Sequence, residues 1–172
     1  MHTTVHFSNI KSEIIGNLKK ATREIKVAIA WLTDEDIIRT LTQKAESGLN
    51  VQIVMRETKE NYRNTSKFKD FLRFGGKLHI AAPKFLHNKF CIIDGNTIIN
   101  GSYNWTYFAQ GNDENILIIT LDSNVQEDNK LLTAFDAKHK FFCEKASMHV
   151  TDISELNRFR EQGKVAAVIL AQ

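Results

Sequence analysis

The chain has 172 residues, 42% hydrophobic and 25% charged, which suffices for one domain with a full core and leaves too little for two. One proline and eight glycines argue against a long disordered linker, and a net charge of +3 with histidine neutral is too mild to imply a polyanionic partner by itself. No apolar run reaches the roughly 18 residues of a membrane span, the start Met1-His2-Thr3-Thr4-Val5-His6-Phe7 lacks the basic opening and apolar core of a secretory leader, and Cys91 and Cys143 make no disulfide framework, so a cytoplasmic protein with reduced thiols and no stable membrane association is expected.

In chain order, Ile10, Ile14, Ile15, Leu18 and Ala21 set a helix over residues 8–23, capped by Ser8 or Asn9. Residues 25–32 read as a mostly buried strand. Thr33 or Asp34 caps a second helix that carries Ile37, Ile38, Leu41 and Ala45 and stops at Gly48. Residues 51–55 form a buried strand, 64–74 a basic helix halted by Gly75-Gly76, and 77–82 another strand. Residues 88–93 and 97–100 form a hairpin turned by Asp94-Gly95. A strand over 115–120 and a long amphipathic helix over 123–145 follow, and Asp152 with Glu155 caps a short helix. Residues 165–170 are an apolar end that suits an edge strand, a contact between copies or a junction with further chain. Strand and helix alternate, so the expected fold is α/β, with a mixed, largely parallel central sheet flanked by helices on both faces. Residues 1–172 read as one domain, its core over about 5–145, with 146–172 an extension of unassigned role.

The charge is unevenly spread. Arg56, Lys59, Arg63, Lys67, Lys69, Arg73, Lys77 and Lys84 stand against Glu57, Glu60 and Asp70 between residues 56 and 84. Interleaved with Tyr62, Phe68, Phe71 and Phe74, they suit the rim of a polyanion site, with Arg56, Arg63, Lys67 and Lys84 as candidate nucleic-acid contacts. They equally suit an amphipathic helix with a solvated charged face. The two readings are compatible, since a helix can bury its phenylalanines and offer its lysines.

The most informative stretch is His87-Asn88-Lys89 to Asp94, followed by Gly101-Ser102-Tyr103-Asn104-Trp105. A phosphodiester resists attack, and cleaving it takes a nucleophile, a proton for the leaving oxygen and charge to offset the non-bridging oxygens. Histidine serves the first two roles. His87 and Lys89, two apart on a strand, share a face and meet one phosphate. Ser102 and Asn104, also two apart, bring a hydroxyl and an amide to its oxygens, and Gly101 lets the backbone come close. A nucleophilic imidazole needs a partner on its other nitrogen. Asp94 ends the strand on the opposite parity, so Glu114 is preferred for that role, with Asp94 kept in the catalytic set as the residue that organises the turn and pairs with a lysine. Trp105 reads as packing beneath the site rather than as a surface for a base. No metal or other cofactor is called for. His-x-Lys occurs once in these residues while the chemistry needs two imidazoles.

His87-x-Lys89-x4-Asp94-x6-Gly101-Ser102-x-Asn104 resembles the HKD signature of the phospholipase D superfamily, and Asn112-x-Glu114-Asn115 resembles the Glu-Asn element of its small nuclease branch. The strand–helix pattern extends the resemblance over about residues 5–145. The resemblance implies that one histidine attacks phosphorus to form a covalent phosphohistidine while the histidine of a second motif protonates the leaving alcohol and then activates water, without a metal. With one motif, the chain looks like the members that form a two-fold homodimer through the active-site face. The leading expectation is a metal-independent nuclease on DNA or RNA. The alternatives are a phospholipid phosphodiesterase, for which Phe85 and Leu86 are the adjacent apolar residues, and a nucleic-acid-targeting module of a larger restriction or helicase-type system.

Overall fold

A computed structural model describes residues 1–63 and 65–162. The expected apolar end at residues 165–170 lies outside them.

The first strand, β1 (His2–His6), leads into helix α1 (Ile10–Lys20), whose Ile10, Ile14 and Leu18 recur every fourth residue and are buried. Strand β2 (Glu24–Ile29) follows, then helix α2 (Glu35–Glu46), capped by the Asp34 carboxylate accepting from the amides of Asp36 and Ile37. Such a cap contributes about 1 kcal/mol. Strand β3 (Asn50–Arg56) comes next. The expected basic helix is shorter than its sequence suggests: a 3₁₀ turn (Thr65–Phe68) runs into helix α3 (Lys69–Arg73), and strand β4 (Lys77–Ala81) follows. Strands β5 (Lys89–Ile93) and β6 (Thr97–Gly101) form the expected hairpin. Asp94 and Gly95 both take positive φ, 53° and 68°, as the central pair of a type I′ turn requires, and the Asn96 amide closes it on the Ile93 carbonyl at 3.1 Å. Strand β7 (Ile116–Thr120), helix α4 (Gln126–Lys145), strand β8 (Ser147–Val150) and helix α5 (Ile153–Gln162) complete the described chain. At the start of α5, the Glu155 carboxylate accepts from the Thr151 amide and hydroxyl, and Asp152 accepts from the Ser154 amide, so both residues expected at this cap serve it.

The eight strands form one mixed sheet in the order β1-β7-β6-β5-β2-β3-β4-β8. The mixed α/β class is as expected, but the parallel part is confined to the middle, where β2 pairs with β3 and β3 with β4. Every other pairing is antiparallel. Those two parallel steps are the crossovers through α2 and α3, whereas the tight hairpin forces antiparallel neighbours. Strands β1 and β8 were not legible as strands. Both lie at the edges of the sheet, and β1 (His-Thr-Thr-Val-His) exposes most of its residues, so neither carries an apolar run. Within the stretch after residue 145, Ser147–Val150 therefore extends the sheet.

One face of the sheet is covered by α1, α2, the 3₁₀ turn with α3, and α5, over a core that includes Leu18, Ile25, Leu41, Ile53 and Phe71. The other face lies under α4, which buries Phe142 against Ala28, Val54, Phe90 and Ile92. Lys26 fastens that helix through Asp136 at 2.6 Å. Among the described residues no helix is long and apolar enough to cross a membrane.

Candidate active site

Because β5 runs antiparallel to β2, its beginning lies beside the ends of β2 and β3. Register makes this concrete. Lys89 pairs with Ile29, and the Ala30 amide donates to the Asn88 carbonyl at 2.9 Å, so the pairing continues up to the residue after His87. On the other side Phe90 pairs with Asn100, which brings Gly101 and Ser102 alongside Lys89. One end of the sheet thus collects His87, Lys89, Arg56 at the end of β3, Ser102 and Asn104 just past β6, and Glu114 just before β7.

His87 is exposed and Lys89 half-buried. The Lys89 ammonium donates to the His87 carbonyl oxygen at 2.9 Å and stands 3.4 Å from its Nδ1. The nearby ammonium, some burial and the Arg56 guanidinium hold the imidazole below its ordinary pKa, which favours the uncharged ring. Burial lowers the pKa of Lys89, the Glu114 carboxylate raises it and Arg56 lowers it, leaving it below the usual lysine value. Lys89 and Arg56 together make a positive wall beside the imidazole, suited to a phosphate's non-bridging oxygens.

The phosphate-side residues are held by backbone. A Cβ at Gly101 would lie 2.1 Å from the Asn115 carbonyl oxygen and 2.8 Å from Ile116 Cα, so only glycine fits where β6 meets β7. The Ser102 amide donates to the Asn115 carbonyl at 3.0 Å, and the Ser102 hydroxyl oxygen accepts from the Asn115 amide at 3.1 Å. Trp105 is buried and ties the chain to the end of β2, its amide donating to the Trp31 carbonyl at 3.0 Å, so it packs beneath the site as its sequence position suggested. Among the described residues Arg56 Nε, Asn104 Oδ1, Trp31 Nε1 and the hydroxyls of Tyr62 and Tyr103 are buried without a partner. Unsatisfied buried groups are uncommon and need a cause; Trp31 and Asn104 line one cavity.

Two expected members do not join the imidazole. Asp94 lies at the far end of β5, seven residues away or roughly 20 Å along a strand. Its carboxylate accepts from the amides of Thr22, Arg23 and Glu24 at 2.8 to 3.0 Å and from the Thr22 hydroxyl at 2.9 Å. Partial burial opposes its charge, but these donors outweigh it and hold the carboxyl below its usual range. It organises the turn as expected, yet its side chain is held by backbone amides rather than by a lysine. Glu114 lies near enough to act on Lys89 and takes a 3.4 Å hydrogen bond from the Asn112 amide; among the described residues no hydrogen bond joins it to His87.

Of the candidate nucleic-acid contacts, Arg56 belongs to the site itself. Lys67 is engaged with Glu35 at 2.9 Å and with the Thr33 carbonyl at 3.3 Å. Arg63 and Lys84 are exposed, and the Lys84 ammonium lies over the Phe85 ring. Phe85 and Leu86, the expected apolar patch, instead turn inward to pack in the core under α4. The exposed aromatics near the site are Tyr107 and Phe108, which sequence reasoning missed because an adjacent aromatic pair reads as core. Asn61 was missed too: its amide donates to the carbonyls of Ala30 and Arg56 and accepts from the Leu32 amide, joining the ends of β2 and β3.

The family model described as cardiolipin synthase, PLD-like domain, matches residues 14–136. A mitochondrial cardiolipin hydrolase of Chlamydomonas reinhardtii is 28% identical over 134 residues, 76% of this chain and 56% of that protein, so the chain spans little more than half the length of that relative. The crystal structure of a phospholipase D family member, Nuc from Salmonella typhimurium, superposes with a TM-score of 0.73 at 20% identity, covering 87% of this chain and 97% of that one. NucT from Helicobacter pylori gives 0.68 at 19% identity over 87% and 99%. Sequence match and fold agree with the His87–Lys89 geometry: the chain belongs to the phospholipase D superfamily.

Proposed function

We propose that the chain is a nuclease that hydrolyses DNA or RNA without a metal, from one catalytic domain over residues 1–172, in a reducing cytoplasm. The observation that carries this reading is the exposed, neutral-leaning His87 held beside Lys89 and Arg56 at the end of the sheet. His87 attacks phosphorus; an N–P bond forms as the P–O bond to the leaving oxygen breaks. That oxygen takes its proton from a second imidazole. The same imidazole then removes a proton from water, which attacks phosphorus and releases His87. Lys89, Ser102 and Asn104 hold the phosphate oxygens throughout, and Glu114 steadies the cationic wall by its charge on Lys89.

The second imidazole is His87 of another copy. This sequence has one His-x-Lys, and a two-fold axis through the exposed site end of the sheet supplies the missing donor without new sequence. A homodimer closed through that face also sets the Lys89 and Arg56 of both copies around one phosphate.

A phospholipid substrate is the second reading, because relatives of the chain are named cardiolipin hydrolases. With Leu86 buried and Phe85 half-buried against the core under α4, little remains of the apolar patch that reading relied on. Labelled single-stranded and duplex nucleic acid, and vesicles of cardiolipin or phosphatidylcholine, each with chelator present, separate the two, with solution mass measured alongside. Cleavage of nucleic acid in chelator by a dimer is the expected result. Cleavage only of vesicles, or loss of all cleavage in chelator, overturns the proposal.

A further inference from the structure

We infer that the cavity beside Asn104 is a nucleobase subsite, receiving the base of the nucleotide next to the scissile phosphate. This rests on the nuclease reading of the His87 site and adds to it what is bound there besides phosphate.

A cavity of about 590 Å³ opens between the start of α2, the segment after β3 and the loop after β6, with Trp31, Asn61, Arg63, Phe68, Asn104 and Phe108 in its wall. That size suits a small organic group. It shares Asn104 with the proposed phosphate site, and Trp31 in its wall follows Ala30, whose amide donates to the carbonyl of Asn88 beside His87. The cavity therefore adjoins the end of the sheet that carries His87.

The chemistry of the wall selects the occupant. Asp34, Glu35, Asp36 and Glu60 line it along with Lys11, Arg63 and Lys67. Two of those cations are already taken, Lys11 by Asp34 and Asp36 at 2.8 and 2.7 Å and Lys67 by Glu35 at 2.9 Å. The wall has no excess positive charge, so it does not hold a second phosphate; it suits a neutral group. Trp31 Nε1 is a buried donor without a partner and Asn104 Oδ1 a buried acceptor without one. A hydrocarbon tail would leave both unsatisfied. A nucleobase is neutral and planar and carries acceptors and donors on its edge. At the mouth, Tyr107 and Phe108 are 69% and 79% exposed with rings edge-to-face at 5.8 Å, surfaces on which a base can stack. A base reaches this cavity only when it is unpaired and unstacked, so the strand is single at that position.

The test uses two labelled single-stranded oligonucleotides, identical except that one lacks the base at a single position. Cleavage at the adjoining linkage is measured for the intact protein, for a Tyr107→Ala/Phe108→Ala variant, and for Trp31→Phe, which keeps an aromatic ring and removes the donor. The intact protein is expected to cut that linkage at least about tenfold more slowly when the base is missing, and both variants to lose most of that discrimination. Circular dichroism checks folding; if the double variant does not fold, Trp31→Phe and the comparison on the intact protein decide. Equal rates on the two oligonucleotides overturn the subsite and leave the nuclease reading standing. No cleavage of either oligonucleotide overturns both, and hydrolysis of cardiolipin vesicles in the same assay would assign the site to lipid.

Discussion

Lys89 donates its ammonium to the carbonyl of His87 at 2.9 Å while standing 3.4 Å from that residue's Nδ1. The cation is thereby fixed against the ring it serves, and its field is the largest cause of the imidazole's lowered pKa, followed by burial and Arg56. A neutral ring is the one that attacks, so the acidic limb of the kcat/KM profile is expected below the usual histidine value. Replacing Lys89 by Met removes the main cause, and the His87 titration followed by NMR should move upward towards an ordinary histidine. An unchanged titration would show that Lys89 does not set the ring's proton affinity.

His87→Ala is expected to lower turnover by about 10⁴-fold or more, since no other group replaces the nucleophile. The ring is exposed, so the melting temperature should stay within a few degrees. The shared site gives a sharper test. Equal amounts of intact and His87→Ala protein, allowed to exchange subunits, should retain about a quarter of the intact activity, because only dimers with both rings work. Independent sites would retain about half.

Asp94→Ala is expected to act on the fold rather than the chemistry. It removes four hydrogen bonds accepted by one charged side chain from Thr22, Arg23 and Glu24, which for a partly exposed group is worth about 2 to 3 kcal/mol. Denaturant unfolding should show that loss, with turnover staying within about threefold at a temperature where the variant is folded. If folded Asp94→Ala protein instead turned over about a hundredfold more slowly, Asp94 would return to the catalytic set.

Stability should depend on pH through two other imidazoles. His79 is held near a pKa of about 4 by burial, then by His149, His139 and Lys77, and His139 near about 4 by burial and Lys26. Both folded values lie below the 6.5 of a free side chain. Above about pH 6.5 both states are neutral and no penalty arises. As pH falls from about 6.5 to about 4, the unfolded chain binds protons that the folded one refuses, and stability is lost at up to about 3 kcal/mol per histidine. Denaturation measured from mildly alkaline to acidic pH should show this slope, and His79→Gln should flatten part of it.

The signature residues were legible because they are local. His87, Lys89, Ser102 and Asn104 sit on one hairpin whose Asp94-Gly95 turn fixes its own geometry. What failed to show in the sequence is what depends on distant partners. Arg56 was legible as a candidate contact, but its place beside His87 was not: a parallel crossover sets the end of β3 beside β2, and no local spacing reports that. Edge strands β1 and β8 lack the apolar runs that betray a buried strand, since half their surroundings is solvent. The bond expected between Glu114 and His87 is absent among the described residues because proximity to the hairpin in sequence does not fix which member of the Lys89–His87 pair the carboxylate faces.

Asn61 touches no reacting group, yet its one amide spans the carbonyls of Ala30 and Arg56 and the Leu32 amide. Losing it would let the arginine and the indole of Trp31 drift together. A mutational screen scored on turnover would therefore enrol Asn61 among the enzyme's chemical residues, and only calorimetry beside kinetics would expose it as a rivet in the scaffold.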